Sequence, residues 1–306
     1  MKSKLCADAT MPLSNTSGSG DTGIPLSVTF ESPVDYLIFI FQILFATTTV
    51  LVAGTVVVTI LATRALHMQN RFIFMLNTSI CDTLVGLSVY YQGLFDVQEG
   101  FPSRNGTYNL LPSLLGVNIM AFLFAQFDRY FAVCHPFIYT RFISRSVIIC
   151  VNVYCWLQVY VQTIVLIFLP ISKSIQVYVF GIVSLQVIVF TNLVMTVKLF
   201  IIVRYQIERD PPSVDKENKK ESLRIIILVV LIFLLLWGPS FVNLCLRLLM
   251  RRGLTFRNEA TNPFAILARL NAVSTSLVYL WGSQGLREAS VRRVWACLKW
   301  KKRLKV

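Results

Sequence analysis

Seven mostly apolar stretches dominate this sequence, at about 34 to 63, 72 to 95, 110 to 134, 146 to 169, 176 to 204, 223 to 249 and 262 to 282. The hydrocarbon layer of a bilayer is ~30 Å thick and a helix rises ~1.5 Å per residue, so ~20 apolar residues suffice to cross it. Each stretch is that long. Lipid cannot satisfy backbone N–H and C=O groups, which leaves helices or closed barrels, and no stretch alternates with the period of a barrel strand. Composition agrees, with 55% apolar and 14% charged residues and a mean hydropathy of +0.65; soluble domains run nearer a quarter charged. A chain of 306 residues cannot bury that much apolar surface in one core and keep a polar exterior. The expected fold is an all-α membrane protein, a seven-transmembrane helix bundle.

The charges orient it. Residues 1–33 are rich in Ser, Thr and Gly and lack the apolar run of a cleavable signal peptide, which predicts an extracellular, disordered N-terminal tail. The first stretch is flanked by Glu31 and Asp35 before it and by Arg64 and Arg71 after it, so the positive-inside rule puts the N-terminus outside. Of 29 Lys and Arg, 20 then fall on the cytoplasmic side. The sequons at Asn15 and Asn105 fall outside, as glycosylation requires, whereas the match at Asn77 lies within a stretch and reads as chance. The net charge of +14 is therefore membrane topology and not a nucleic-acid footprint. The segment Tyr205 to Ser222, with Pro211-Pro212 and a mixed-charge run, reads as a solvated linker.

Residues 34–282 form the bundle and 283–306 a cytoplasmic tail. In the tail, Val291, Val294, Trp295 and Leu298 recur at helical spacing among Arg and Lys, predicting an amphipathic helix on anionic inner-leaflet lipid. Cys297 there is a palmitoylation candidate. The seven cysteines show no CxxC spacing, and most lie in apolar blocks where a buried thiol acts as a small hydrophobe.

Where the third stretch meets the cytoplasm stands Phe127-Asp128-Arg129-Tyr130-Phe131-Ala132-Val133-Cys134-His135-Pro136. This run resembles the Asp-Arg-Tyr signature and following loop of rhodopsin-like G-protein-coupled receptors, in wording nearest to odorant receptors and some orphan members. Asn77 and Asp82 are similar to the family's second-helix Asn and sodium-binding Asp, Trp156 to its fourth-helix tryptophan, and Phe233, Trp237 and Pro239 to its sixth-helix toggle. Proline inside a helix removes a hydrogen bond and introduces a kink. The resemblance covers about residues 35 to 303.

What the resemblance implies is a plasma-membrane, multi-pass receptor that binds an extracellular ligand in the outer half of the bundle and activates a heterotrimeric G protein at its cytoplasmic face. Asp128, Arg129, Tyr130 and Tyr279 would serve coupling and activation, and Asp82, Asn118 and Asn271 would surround an allosteric sodium ion. Arg269, about three turns above Tyr279, is a candidate for an anionic ligand group, with Arg247, Arg251, Arg252 and Arg257 nearby.

Departures are several. Thr275-Ser276-Leu277-Val278-Tyr279 stands for Asn-Pro-x-x-Tyr, Arg104 for the disulfide cysteine, Thr55 for the first-helix Asn, and Lys219 for an acid that pairs with the signature Arg; the loop Leu169 to Gln176 holds no cysteine. A divergent receptor is expected, an orphan or a distant odorant-receptor relative. The rival is a receptor-shaped, non-signalling partner or decoy. A transporter would show paired, interrupted helices in two related halves. An enzyme is not expected, because His67 and His135 stand beside no HExxH or Gly-x-Ser-x-Gly motif.

Overall fold

The structure, a computed structural model, describes residues 33–90, 110–168, 171–206, 214–250 and 263–292. All regular elements among them are helical: α1 (Pro33–Ala62), α2 (Arg64–His67), α3 (Asn70–Ser88), α4 (Leu110–Cys134), α5 (Pro136–Phe142), α6 (Arg145–Phe168), α7 (Ile171–Ile201), α8 (Val214–Met250), α9 (Pro263–Gly282) and α10 (Gln284–Ser290). A π-helical turn, Ile202–Gln206, extends α7.

The long helices close a ring. α1 packs on α3 and α9, α3 on α4 and α6, α4 on α6 and α7, α7 on α8, and α8 on α9. α3 also meets α9, and α4 meets α8, across the middle. The short helices α2, α5 and α10 lie at one end, where α1, α4 and α9 finish and α3, α6 and α8 begin.

The ring is apolar outside and polar inside. Leu157, Val161 and Ile164 on α6 and Val183, Val187 and Phe190 on α7 are exposed, while Asp82, Asn118, Gln126, Asn271, Thr275 and Ser276 are buried. A water-soluble domain reverses this, and lipid is the solvent that permits it. Four segments are long and apolar enough to cross a membrane: Phe39–Ala62, Arg145–Val165, Val183–Ile201 and Lys220–Pro239. The chain is a membrane protein. The other long helices, α3, α4 and α9, are more polar because they line the interior; on α3, Asn77, Thr78, Ser79, Asp82 and Ser88 are all buried.

Two boundaries differ from those expected. α8 begins at Val214, so the mixed-charge run is helix from there and not linker, because Lys and Glu are strong helix formers that carry the helix beyond its apolar part. α7 begins at Ile171, so most of the stretch read as a loop is helical. Cys81 and Cys155 are buried together with Val117, the packing role expected of them. Asn77, buried and bonded to Trp156, is no glycosylation acceptor. Asn15, Asn105, Arg104 and Cys297 lie outside the described residues, as does the amphipathic stretch beyond Arg292.

Close approach needs glycine at two places. A Cβ on Gly86 would stand 2.8 Å from Val50 Cγ2 and 3.2 Å from Thr49 Cβ on α1; one on Gly282 would stand 2.7 Å from Ile225 Cγ1 on α8. Gly54, by contrast, faces open space. Gly86→Ala is expected to cost about 1–3 kcal/mol through overpacking and to lower the melting temperature in detergent. Adding Val50→Ala should recover much of the loss, and Gly54→Ala should cost nothing; equal melting of Gly86→Ala and wild type would contradict this packing.

Candidate functional site

The end of the bundle carrying α5 gathers one polar cluster. α4 runs on to Cys134, and in its last turns Asp128 is buried while Arg129 is partly exposed. Their side chains form an ion pair, the one found among the described residues. The Tyr139 hydroxyl on α5 donates to Asp128 Oδ1 at 3.1 Å, and Asn70 Nδ2 at the start of α3 donates to the Tyr139 hydroxyl at 3.4 Å. Asp128 thus ties α3, α4 and α5 together. Burial raises the Tyr139 phenol above its ordinary 10.0, and the negative charge of Asp128 adds to the effect.

Arg129 reaches across to α8, where its Nη1 donates to Ser222 Oγ at 3.3 Å. It borders a cleft of about 20 Å³ with Arg71, Thr78, Ser222 and Tyr279. That is room for about one water molecule. Tyr279, on α9, is buried and accepts a hydrogen bond of 3.0 Å from Thr78. Arg129 and Tyr279, far apart in sequence, therefore face one small space. Tyr130 does not join them; it lies against Phe131 and His135 and packs on the Leu199, Ile202 and Leu223 cluster.

Near Lys219, α8 carries an acid, Glu221, but it does not pair with Arg129. Its Oε1 accepts from the backbone N–H of Gln284 at 3.2 Å, capping α10. A helix start has free N–H groups and a positive dipole end, so a carboxylate is well placed there. The resemblance to an Asp-Arg-Tyr signature singled out Asp128 and Arg129 in the sequence; Tyr139, Asn70, Ser222 and Glu221 went unmarked, since each belongs to another helix and only packing joins them.

A second polar cluster lies in mid-bundle. Asn118 Nδ2 on α4 donates to Asp82 Oδ1 on α3 at 3.0 Å, and Ser276 on α9 faces the same carboxyl. Asp82 Oδ2 and, on its two neighbours, Asn118 Oδ1 and Ser276 Oγ are buried without a hydrogen-bond partner; Ser79 Oγ on α3 and Thr275 Oγ1 and Asn271 Oδ1 on α9 are also buried and unpartnered. One carboxylate among neutral oxygens is a donor set suited to a hard monovalent cation, which takes oxygen ligands. Asn271 is buried on α9 but makes no hydrogen bond to Asp82 among the described residues; Ser276 does the facing. Groups of three or more His, Cys, Asp or Glu that could hold a metal are absent among the described residues.

Farther along α8, Phe233 is buried, packs edge-on against Phe122 at 5.4 Å and stacks with Trp237 at 6.1 Å. Pro239 sits inside a helix that remains continuous to Met250. Arg269 belongs to α9 and Arg247 to α8, but their side chains lie outside those described, as do Arg251, Arg252 and Arg257 entirely.

Tyr139→Phe should cost about 1.5–3 kcal/mol at neutral pH, the contribution of a hydrogen bond to a charged group. The unfolded chain releases the Tyr139 proton near 10.0 whereas the folded chain holds it, so this tyrosine's contribution is full below that pH and falls as pH rises above it. Thermal melts from pH 7 to 11 should show a shallower alkaline decline in Tyr139→Phe than in wild type; identical slopes would remove Tyr139 from the cluster. Scanned against protein-family models and curated proteins, the chain matches none, so its function rests on this arrangement of residues.

Proposed function

We propose that this chain is a divergent rhodopsin-like G-protein-coupled receptor of the plasma membrane. In this reading it crosses the bilayer seven times with its N-terminus outside, binds an extracellular ligand in the outer half of the bundle, and activates a heterotrimeric G protein at the α5 end. The observation that carries it is the pair of buried Asp128 and partly exposed Arg129 in the last turns of α4, held by Tyr139 and reaching Ser222 on α8. A carboxylate and a guanidinium meet there by a charge-assisted hydrogen bond, and a change in α8 would release Arg129 to a partner. Support comes also from charge: Arg64, Arg71, Arg129, Arg141, Arg145, Arg204, Arg224 and Arg287 all fall toward the α5 end, the pattern of a cytoplasmic face.

Arg129's partner on α8 is a neutral hydroxyl, and the nearby acid caps α10 instead. The restraint on α8 is correspondingly weak, so elevated basal signalling is expected. At matched surface expression, Arg129→Ala should lower G-protein activation about tenfold or more, equivalent to about 1.4 kcal/mol. Unchanged signalling would sink this role. Silence of the wild type with every G-protein class would favour the receptor-shaped, non-signalling partner.

The mid-bundle cluster is proposed as an allosteric sodium site, with Asp82 supplying the charge and Asn118, Asn271 and Ser276 neutral oxygens. At a sodium concentration tenfold over Kd, binding stabilises the fold by about 1.4 kcal/mol. The melting temperature of purified protein should rise when sodium replaces choline, and Asp82→Asn should erase the rise. Melting indifferent to sodium in the wild type would show instead a protonated Asp82 in a hydrogen-bond network.

A further inference from the structure

The cleft at the α5 end has a lining unlike that of any other polar site in the bundle. Arg71 at the start of α3, Arg129 on α4 and the hydroxyls of Thr78, Ser222 and Tyr279 border it, and the rest of its wall is apolar. Two guanidinium groups and three hydroxyls thus surround about 20 Å³, a space of about one water molecule. Among the described residues, no acid lines it.

Both nearby acids are engaged elsewhere. Asp128 accepts from Arg129 Nη2 and from the Tyr139 hydroxyl, and Glu221 accepts from the Gln284 N–H. Glu221 forms no ion pair with Arg71 among the described residues. Arg71 Nε donates to Gln69 Oε1 at 3.1 Å, while its two Nη groups have no acceptor among the described residues. Its Cζ lies 4.8 Å from the centroid of the Phe72 ring, which holds the group in place but supplies no counter-charge. Burial pushes the Arg71 guanidinium below its ordinary value; Glu221 opposes that, and the like charge of Arg129 adds to it. Arg129 spends one N–H on Ser222 and one on Asp128, out of the five that a guanidinium carries. Ser222 and Tyr279 accept from Arg129 and Thr78 respectively, and each hydroxyl keeps its own proton to donate. The cleft is a set of donors, with two like charges and no acid of its own.

We propose that this cleft binds a small monovalent anion, chloride, between Arg71 and Arg129, with the Ser222 and Tyr279 hydroxyls completing its shell. Chloride accepts hydrogen bonds and donates none, is close to water in size, and carries the one charge that relieves the repulsion between the two guanidinium groups. Charge-assisted bonds to guanidinium are the strong class of hydrogen bond, which offsets the loss of the ion's hydration. A carboxylate or phosphate group is too large for the space, and a water molecule neutralises neither arginine. Held there, the ion would tie α3, α4, α8 and α9 together at the end where Arg129 meets Ser222. The inference concerns binding and needs no receptor activity, so it and the receptor reading succeed or fail separately.

Thermal melting of the purified full chain in a neutral detergent tests it, with chloride exchanged for the much larger gluconate at constant ionic strength. Sodium is held fixed, so that the mid-bundle cluster does not contribute. At a chloride concentration tenfold over Kd, the melting temperature of wild type should rise by about 2 °C or more, and bromide should act as chloride does. Arg71→Gln should lose the response to both ions. A second reading needs no variant: in wild-type crystals soaked in bromide, an anomalous peak is expected between Arg71 and Arg129. Equal melting of wild type in chloride and gluconate, a response that survives in Arg71→Gln, or a cleft without bromide would overturn the proposal.

Discussion

The constraint on which everything else depends is that hydrocarbon accepts no hydrogen bond. In water, an unpaired amide or hydroxyl turns to solvent; in a bilayer it must find a protein partner or bear a cost of several kcal/mol. This sorts the helices by role. α6 and α7 turn apolar faces outward, and α3, α4 and α9 turn their polar residues toward one another. Serine and threonine hydroxyls along the way bond back to their own helix, as Thr49 does to Phe45 and Thr59 to Thr55, which removes them from the account locally. Groups that cannot do this, notably Asp82 and Asn118, collect at the centre and need each other.

The same constraint makes the two polar clusters neighbours in design. Asp82 and Tyr279 are joined through α3 and α9, for Thr78, one turn before Asp82, holds the Tyr279 hydroxyl. Tyr279 then faces the cleft that Arg129 borders. A chain of packed side chains thus runs from mid-bundle to the α5 end without crossing an apolar gap. It is a physical connection, and coupling along it depends on whether its members have two arrangements.

Helices were the most legible part of the sequence, because a 20-residue apolar run has few other uses in a protein. α4 occupies the expected residues 110–134, and α1, α6 and α9 fall within a residue of expectation at both ends. Boundaries failed where polarity was taken as the end of a helix, at Val214 and Ile171; backbone geometry does not stop where lipid does. Asp128 and Arg129 were legible as charges at the end of a span in a run that resembles a family signature, and Asp82 because a charge in a span calls for explanation. Tyr139, Ser222 and Asn70 were not, as ordinary polar residues near helix ends gain meaning only from what packs beside them. Glu221 carries a particular lesson. An acid close to the expected position serves the start of α10, a use that a linear motif cannot distinguish from pairing with Arg129.

The unbroken length of α8 has a mechanical consequence. Pro239 supplies no N–H to the carbonyl of Leu235, so the helix is weakest to bending at that point. From there to Val214 is about 37 Å of helix with no further proline. A tilt of about 10° at Pro239 would therefore carry the far tip roughly 6 Å sideways. Ser222 and Glu221 ride about two thirds of the way along that arm, where the same tilt moves them roughly 4 Å, the first touching α4 and the second α10. One lever arm would then let go of both at once, with the charged turn from Val214 onward as its handle.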